Sequence, residues 1–61
     1  MIKTVKRGRQ TWTLCHKSNL TQALNYISWV QSVTGIFRNV TTQPYHGHIY
    51  NPDKVIWIVE G

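Results

Sequence analysis

Between Ser18 and Phe37 the chain carries no charged residue, and within that stretch Leu20, Ala23, Leu24, Ile27, Val30 and Thr34 recur at intervals of three and four. This is the apolar stripe of one helix lying on a core, and it predicts α-helix from about Leu20 to Thr34. Ser18 or Asn19 offers an N-cap, Asn19 with Gln22 resembles a capping box, and Gly35 is placed to end the helix. Thr, Asn, Ser and β-branched residues run through the segment, so packing rather than propensity must hold it. With only 61 residues, one helix on one layer of sheet is all the chain can build.

The rest reads as strand and turn. Gln10 to His16 alternates, with Trp12 and Leu14 on one face and Thr11, Thr13 and Cys15 on the other, as in a half-buried strand. Arg7-Gly8 could turn a hairpin back onto Ile2 to Lys6, or residues 1 to 9 could form a mobile basic arm. Ile36 to Gln43 and Val55 to Val59 predict two further strands, joined as an antiparallel hairpin by the turn-rich stretch Pro44 to Asp53. The expected fold is therefore a single α+β domain over residues 1–61, one helix packed on a small antiparallel sheet, in the order β-β-α-β-β or β-α-β-β. Every residue of Val55 to Val59 is apolar, so both faces of that strand want burial although one helix covers only one. Self-association, a partner, the long loop or the N-terminal arm could cover the other.

A chain of this size buries only about 60% of the surface its unfolded form exposes. Its single cysteine, Cys15, cannot form an internal disulfide. A lone thiol fits a reducing compartment, and no apolar run approaches the ~18 residues of a membrane span. The expectation is a cytoplasmic protein without membrane contact. The net charge is +5. Lys3, Lys6, Arg7, Arg9 and Lys17 lie in the first seventeen residues, whereas Arg38 and Lys54 are balanced by the only acids, Asp53 and Glu60. Such clustering attracts phosphates or an acidic protein surface, and the bland alternative is a solubilising arm.

Three surfaces invite a function. About 100° of turn per residue puts Trp29 away from the core stripe, flanked by Tyr26 and Val33. Tyr26, Trp29, Val33 and, on the open sheet, Trp57 are the expected partner-binding residues. Lys3, Lys6, Arg7 and Arg9 run into Trp12, a mixture in which cations hold phosphates and an aromatic stacks on a base. With Lys17 these form the expected phosphate- or acidic-surface-binding set, and Tyr45 and Tyr50 could stack likewise. The uncharged helix has nothing with which to read a DNA groove. His46-x-His48 with Cys15-His16 would supply zinc donors, yet there is no Cys-x-x-Cys, so no metal and no cofactor are expected. Cys15 and His16 are strand neighbours pointing to opposite faces and cannot act as a nucleophilic pair. With two carboxylates and no catalytic spacing, the chain is read as non-enzymatic, a small nuclease using His46 or His48 with Arg38 being the remaining catalytic alternative.

The order of parts is a basic N-terminal strand region, Ser18-Asn19-Leu20-Thr21-Gln22-Ala23-Leu24 opening the helix, Gly35 closing it, and a two-strand hairpin with Trp57 near its end. It resembles small phage-encoded proteins that disable host machinery, including an inhibitor of bacterial RNA polymerase and some anti-CRISPR proteins. The likeness is architectural and covers about residues 10 to 59. It implies a protein, acting in the host cytoplasm, that blocks a larger protein of nucleic-acid metabolism by occupying a charged surface. A basic chain would seek an acidic surface or a nucleoprotein complex rather than mimic nucleic acid. Direct, sequence-unspecific binding of DNA or RNA is the competing expectation, and a homodimer is a further one.

Overall fold

The fold, seen in a computed structural model that describes residues 2–61, is a four-stranded antiparallel sheet with one helix across one face. In chain order it comprises β1 (Lys3–Arg7), β2 (Gln10–His16), a 3-10 turn (Lys17–Asn19), α1 (Leu20–Thr34), β3 (Val40–Pro44) and β4 (Val55–Glu60). The strands lie in the order β1-β2-β4-β3, so the α+β class is observed in its β-β-α-β-β form. Met1, the first residue of the expected arm, lies outside the described residues.

Residues 3–7 are not an arm but an edge strand, paired with β2 from Lys3 opposite Leu14 to Arg7 opposite Gln10. The connecting turn is Gly8-Arg9, one residue later than expected. Gly8 has φ +61° while Arg9, like every described non-glycine residue, has negative φ. Those signs are the ones a type II′ hairpin turn requires.

The helix has the predicted bounds. Gly35 adopts a left-handed conformation, and its N–H donates to the Gln31 carbonyl at 2.9 Å. The expected capping box is absent: Asn19 ends the 3-10 turn with φ −104° and ψ 7°, and its side chain caps nothing. An N-cap side chain reaches the first turn from extended backbone, which Asn19 does not have. β3 is shorter than the expected Ile36 to Gln43. Residues 36–39 instead carry the chain from the helix to the far edge of the sheet, held by Gln31 Nε2 donating to the Arg38 carbonyl at 3.1 Å.

β4 sits between β2 and β3 and is apolar on both faces, so two thin cores flank it. On the helix side Cys15 and Ile58 pack with Ala23 and Ile27, edged by Leu20, Leu24, Val40 and Ile56. On the other side Leu14, Val55, Trp57 and Tyr45 form a second cluster, edged by Ile2, Val5, Trp12 and Tyr50. The helix-free face is thus covered from within the chain: Tyr45 and Tyr50 of the long loop pack against it, and Ile2 and Val5 close its edge. Trp57, expected on a partner-binding surface, is buried at 7% exposure and belongs to that second core. Gly47 makes this possible, because a Cβ there would collide with the Tyr45 ring and lift the loop off Trp57.

Candidate binding surfaces

Residues directly opposite one another in an antiparallel sheet point to the same face. The register Arg7 to Gln10, Val5 to Trp12, Lys3 to Leu14 and Leu14 to Trp57 therefore gathers Lys3, Arg7 and two tryptophans on the helix-free side. There Trp12 and Trp57 meet edge to face, centroids 5.8 Å apart at 76°. Tyr45 continues the row 6.0 Å from Trp57, and Tyr50 lies 6.2 Å beyond it. The Arg7 guanidinium carbon stands 4.7 Å from the Trp12 centroid and 5.9 Å from that of Trp57, with Lys3 Nζ 5.9 Å from Trp57. Each such cation–π contact contributes about 0.5–1 kcal/mol at an exposed site. More important here is orientation: a guanidinium stacked on an indole keeps its N–H fork free for a planar anion.

Lys3, Arg7, Trp12, Tyr45 and Trp57 line a shallow groove of about 480 Å³, whose wall is completed by Gln43, Pro44, His46 and Gly47. Among the described residues no carboxylate lines it. Glu60 pairs with Thr11 and so shares the helix side of the sheet, and the Asp53 backbone turns in the loop on the Asn51 side chain at 3.0 Å. Trp12 is half-buried, and its indole N–H donates to Gln10 Oε1 at 3.2 Å.

The other expected cations are divided. Lys6 and Arg9 border a second depression, of about 590 Å³, around the Gly8 turn, where Arg38 and the exposed Phe37 join them. Arg38 was expected to be balanced by acids. Glu60 does lie near it, the two lining a smaller hollow, while Arg38 also borders this basic depression. Lys17 stands past the other end of β2, where its N–H bonds the Lys54 carbonyl at 2.9 Å, and it joins neither group. A lysine- and arginine-bearing edge strand also discourages edge-to-edge pairing, which is the structural reading of the same charges.

The remaining expected partner-binding residues come together on α1. Tyr26, Trp29 and Val33 are 54%, 61% and 65% exposed, and the Tyr26 and Trp29 rings lie 6.2 Å apart. They look away from the sheet, so they and the groove occupy opposite sides of the molecule.

Cys15 is fully buried under the helix, and burial pushes its thiol pKa up. His16 beside it is exposed. His46 enters the groove and His48 does not, while Arg38 lines the other depression. His46 and Arg38 thus line different depressions. Among the described residues no three His, Cys, Asp or Glu side chains cluster as metal ligands, and no helix is long and apolar enough to cross a membrane. Neither a family model, nor a curated protein, nor a solved structure matches the chain.

Proposed function

We propose that the chain is a non-catalytic binding protein whose helix-free sheet face holds single-stranded nucleic acid. The supporting observation is Arg7 over the Trp12 ring and near Trp57, beside Lys3, in a groove whose described lining holds no carboxylate. Cations beside an accessible aromatic ring are what a flexible polyanion with exposed bases needs; here the half-buried Trp12 supplies that ring, Trp57 and Tyr45 being buried in the core beside it. Duplex is the poorer ligand, because α1 is uncharged and has no means of reading a groove. Binding is carried by backbone charge and stacking, so it is largely indifferent to base sequence.

A second reading keeps the basic surface and changes its ligand to the acidic face of a larger protein of nucleic-acid metabolism, as the likeness to phage inhibitors implies. It is favoured by Phe37, 74% exposed beside Lys6, Arg9 and Arg38, an apolar anchor ringed by cations.

Anisotropy of labelled short oligonucleotides tests the first reading. Single strands are expected to bind more tightly than duplex of the same length. Trp12→Ala should weaken the single-strand complex by about 1–3 kcal/mol, roughly 5- to 150-fold. Equal affinity for duplex, or a Trp12→Ala variant that binds like the parent, would sink it. Retention of one protein partner from nuclease-treated lysate, with no affinity for oligonucleotides, would establish the second.

A further inference from the structure

We infer that the exposed face of α1 is a homodimer interface, in which two copies pair antiparallel, helix to helix, about a two-fold axis near Trp29. This does not depend on what the sheet face binds. Tyr26, Trp29 and Val33 are spaced by three and four residues, so they form a second apolar stripe on a helix whose first stripe already lies on the sheet. Spacing of that kind is the seam of two packed helices. The stripe is also self-complementary. Antiparallel pairing centred between Trp29 and Val30 sets Tyr26 of one copy against Val33 of the other and Trp29 close to its own mate, the reciprocal pattern of a two-fold contact.

Charge selects the occupant. The chain carries +5, so copies repel wherever their basic surfaces meet, but no charged residue lies between Ser18 and Phe37. The rim of the stripe is Asn25, Ser28 and Ser32, short neutral side chains that let helices approach and offer no ion pair to an acidic or basic partner. The one surface without charge is thus the one on which a second copy fits, and it is the face opposite the groove. Antiparallel alignment also sets the helix dipoles favourably.

Area sets the strength. At these exposures the two aromatics leave on the order of 100 Å² each. With Val33 and the rim, two copies would bury on the order of 800–1,000 Å², below the roughly 1,200 Å² of a stable specific interface and in the range of weak, transient ones. The dimer is accordingly weak, with a Kd of about 10–100 µM. It presents two basic sheet faces outward, doubling the contact with a long polyanion.

Sedimentation velocity across a concentration series spanning that range tests the proposal. The intact chain should move from monomer toward dimer as concentration rises. Trp29→Glu, which sets two carboxylates close to the axis, should remain monomeric at every concentration, and Val33→Lys should act likewise as a second variant whose fold is checked by circular dichroism. Added salt should strengthen association or leave it unchanged, because it screens repulsion and breaks no cross-interface ion pair. A chain monomeric throughout, a folded Trp29→Glu or Val33→Lys variant that dimerises as the parent does, or association that salt dissolves would each overturn it.

Discussion

Leu14→Ala probes the feature that most separates this domain from a simple helix-on-sheet layer, its second core on the helix-free face. Leu14 is 0% exposed, lies opposite Lys3 and Trp57 in the sheet, and clusters with Tyr45, Val55 and Trp57. Truncating a buried leucine costs about 2–5 kcal/mol. A domain of 61 residues has a total stability of about 3–9 kcal/mol, so the variant loses about a fifth of its stability or more. A loss of about 3 kcal/mol corresponds to a fall in Tm of about 12–24 °C for a domain of this size. Urea denaturation followed by far-ultraviolet circular dichroism measures it. Phe37→Ala, at a 74% exposed position, serves as the comparison and should change stability by no more than about 0.5 kcal/mol. Were the helix-free face open to solvent, Leu14→Ala would cost less than about 1 kcal/mol, and that result, or equal losses in the two variants, would refute the two-core account.

Gly47→Ala should destabilise by about 1–3 kcal/mol, because its new methyl displaces Tyr45 from Trp57; unchanged stability and near-ultraviolet circular dichroism would show that the loop does not depend on this approach. Cys15 should react with thiol reagents only as fast as the chain unfolds, since it is 0% exposed, and rapid labelling of the native protein would contradict its place under α1. Its thiol pKa is raised by burial above the ordinary 9.0, so above pH 9 the unfolded chain ionises first and native stability falls, whereas below that pH the contribution is fully present. A Cys15→Ala variant should lose this part of the alkaline decline, and an identical decline would assign it to other groups.

The sequence shows some of these elements better than others, for physical reasons. α1 is legible to the residue because a 3.6-residue stripe and Gly35 mark both its register and its end, and β4 because a short apolar run rich in β-branched residues, preceded by turn residues, favours a strand buried on two sides. The start of β3 is not legible: Ile36 to Asn39 has strand-like composition, but distance from helix to sheet edge, a tertiary quantity, decides that it connects. The α1 face could be read from helical geometry alone, which is why Tyr26, Trp29 and Val33 emerge together. The groove could be read only in part. That Arg7 and Lys3, and not Lys6 or Arg9, meet the tryptophans depends on the β1–β2 register, and Trp57 is covered because Tyr45 passes over it from a loop whose path no local pattern dictates. Arg38 joins the basic end for the same reason, through a contact between distant parts of the chain.

The claim that the helix-free sheet face holds single-stranded nucleic acid through Arg7 and its neighbours is tested most directly by the salt dependence of binding, compared between the parent chain and Arg7→Gln. Each phosphate neutralised on a single strand adds about 0.7 to the magnitude of the slope of log affinity against log salt. Lys3 and Arg7 together predict a slope of about −1.4, steeper if Lys6 or Arg9 reaches the same strand, and Arg7→Gln should reduce its magnitude by about 0.7 while lowering affinity. Equal slopes for the two proteins would place the phosphates elsewhere and contradict the assignment of this face.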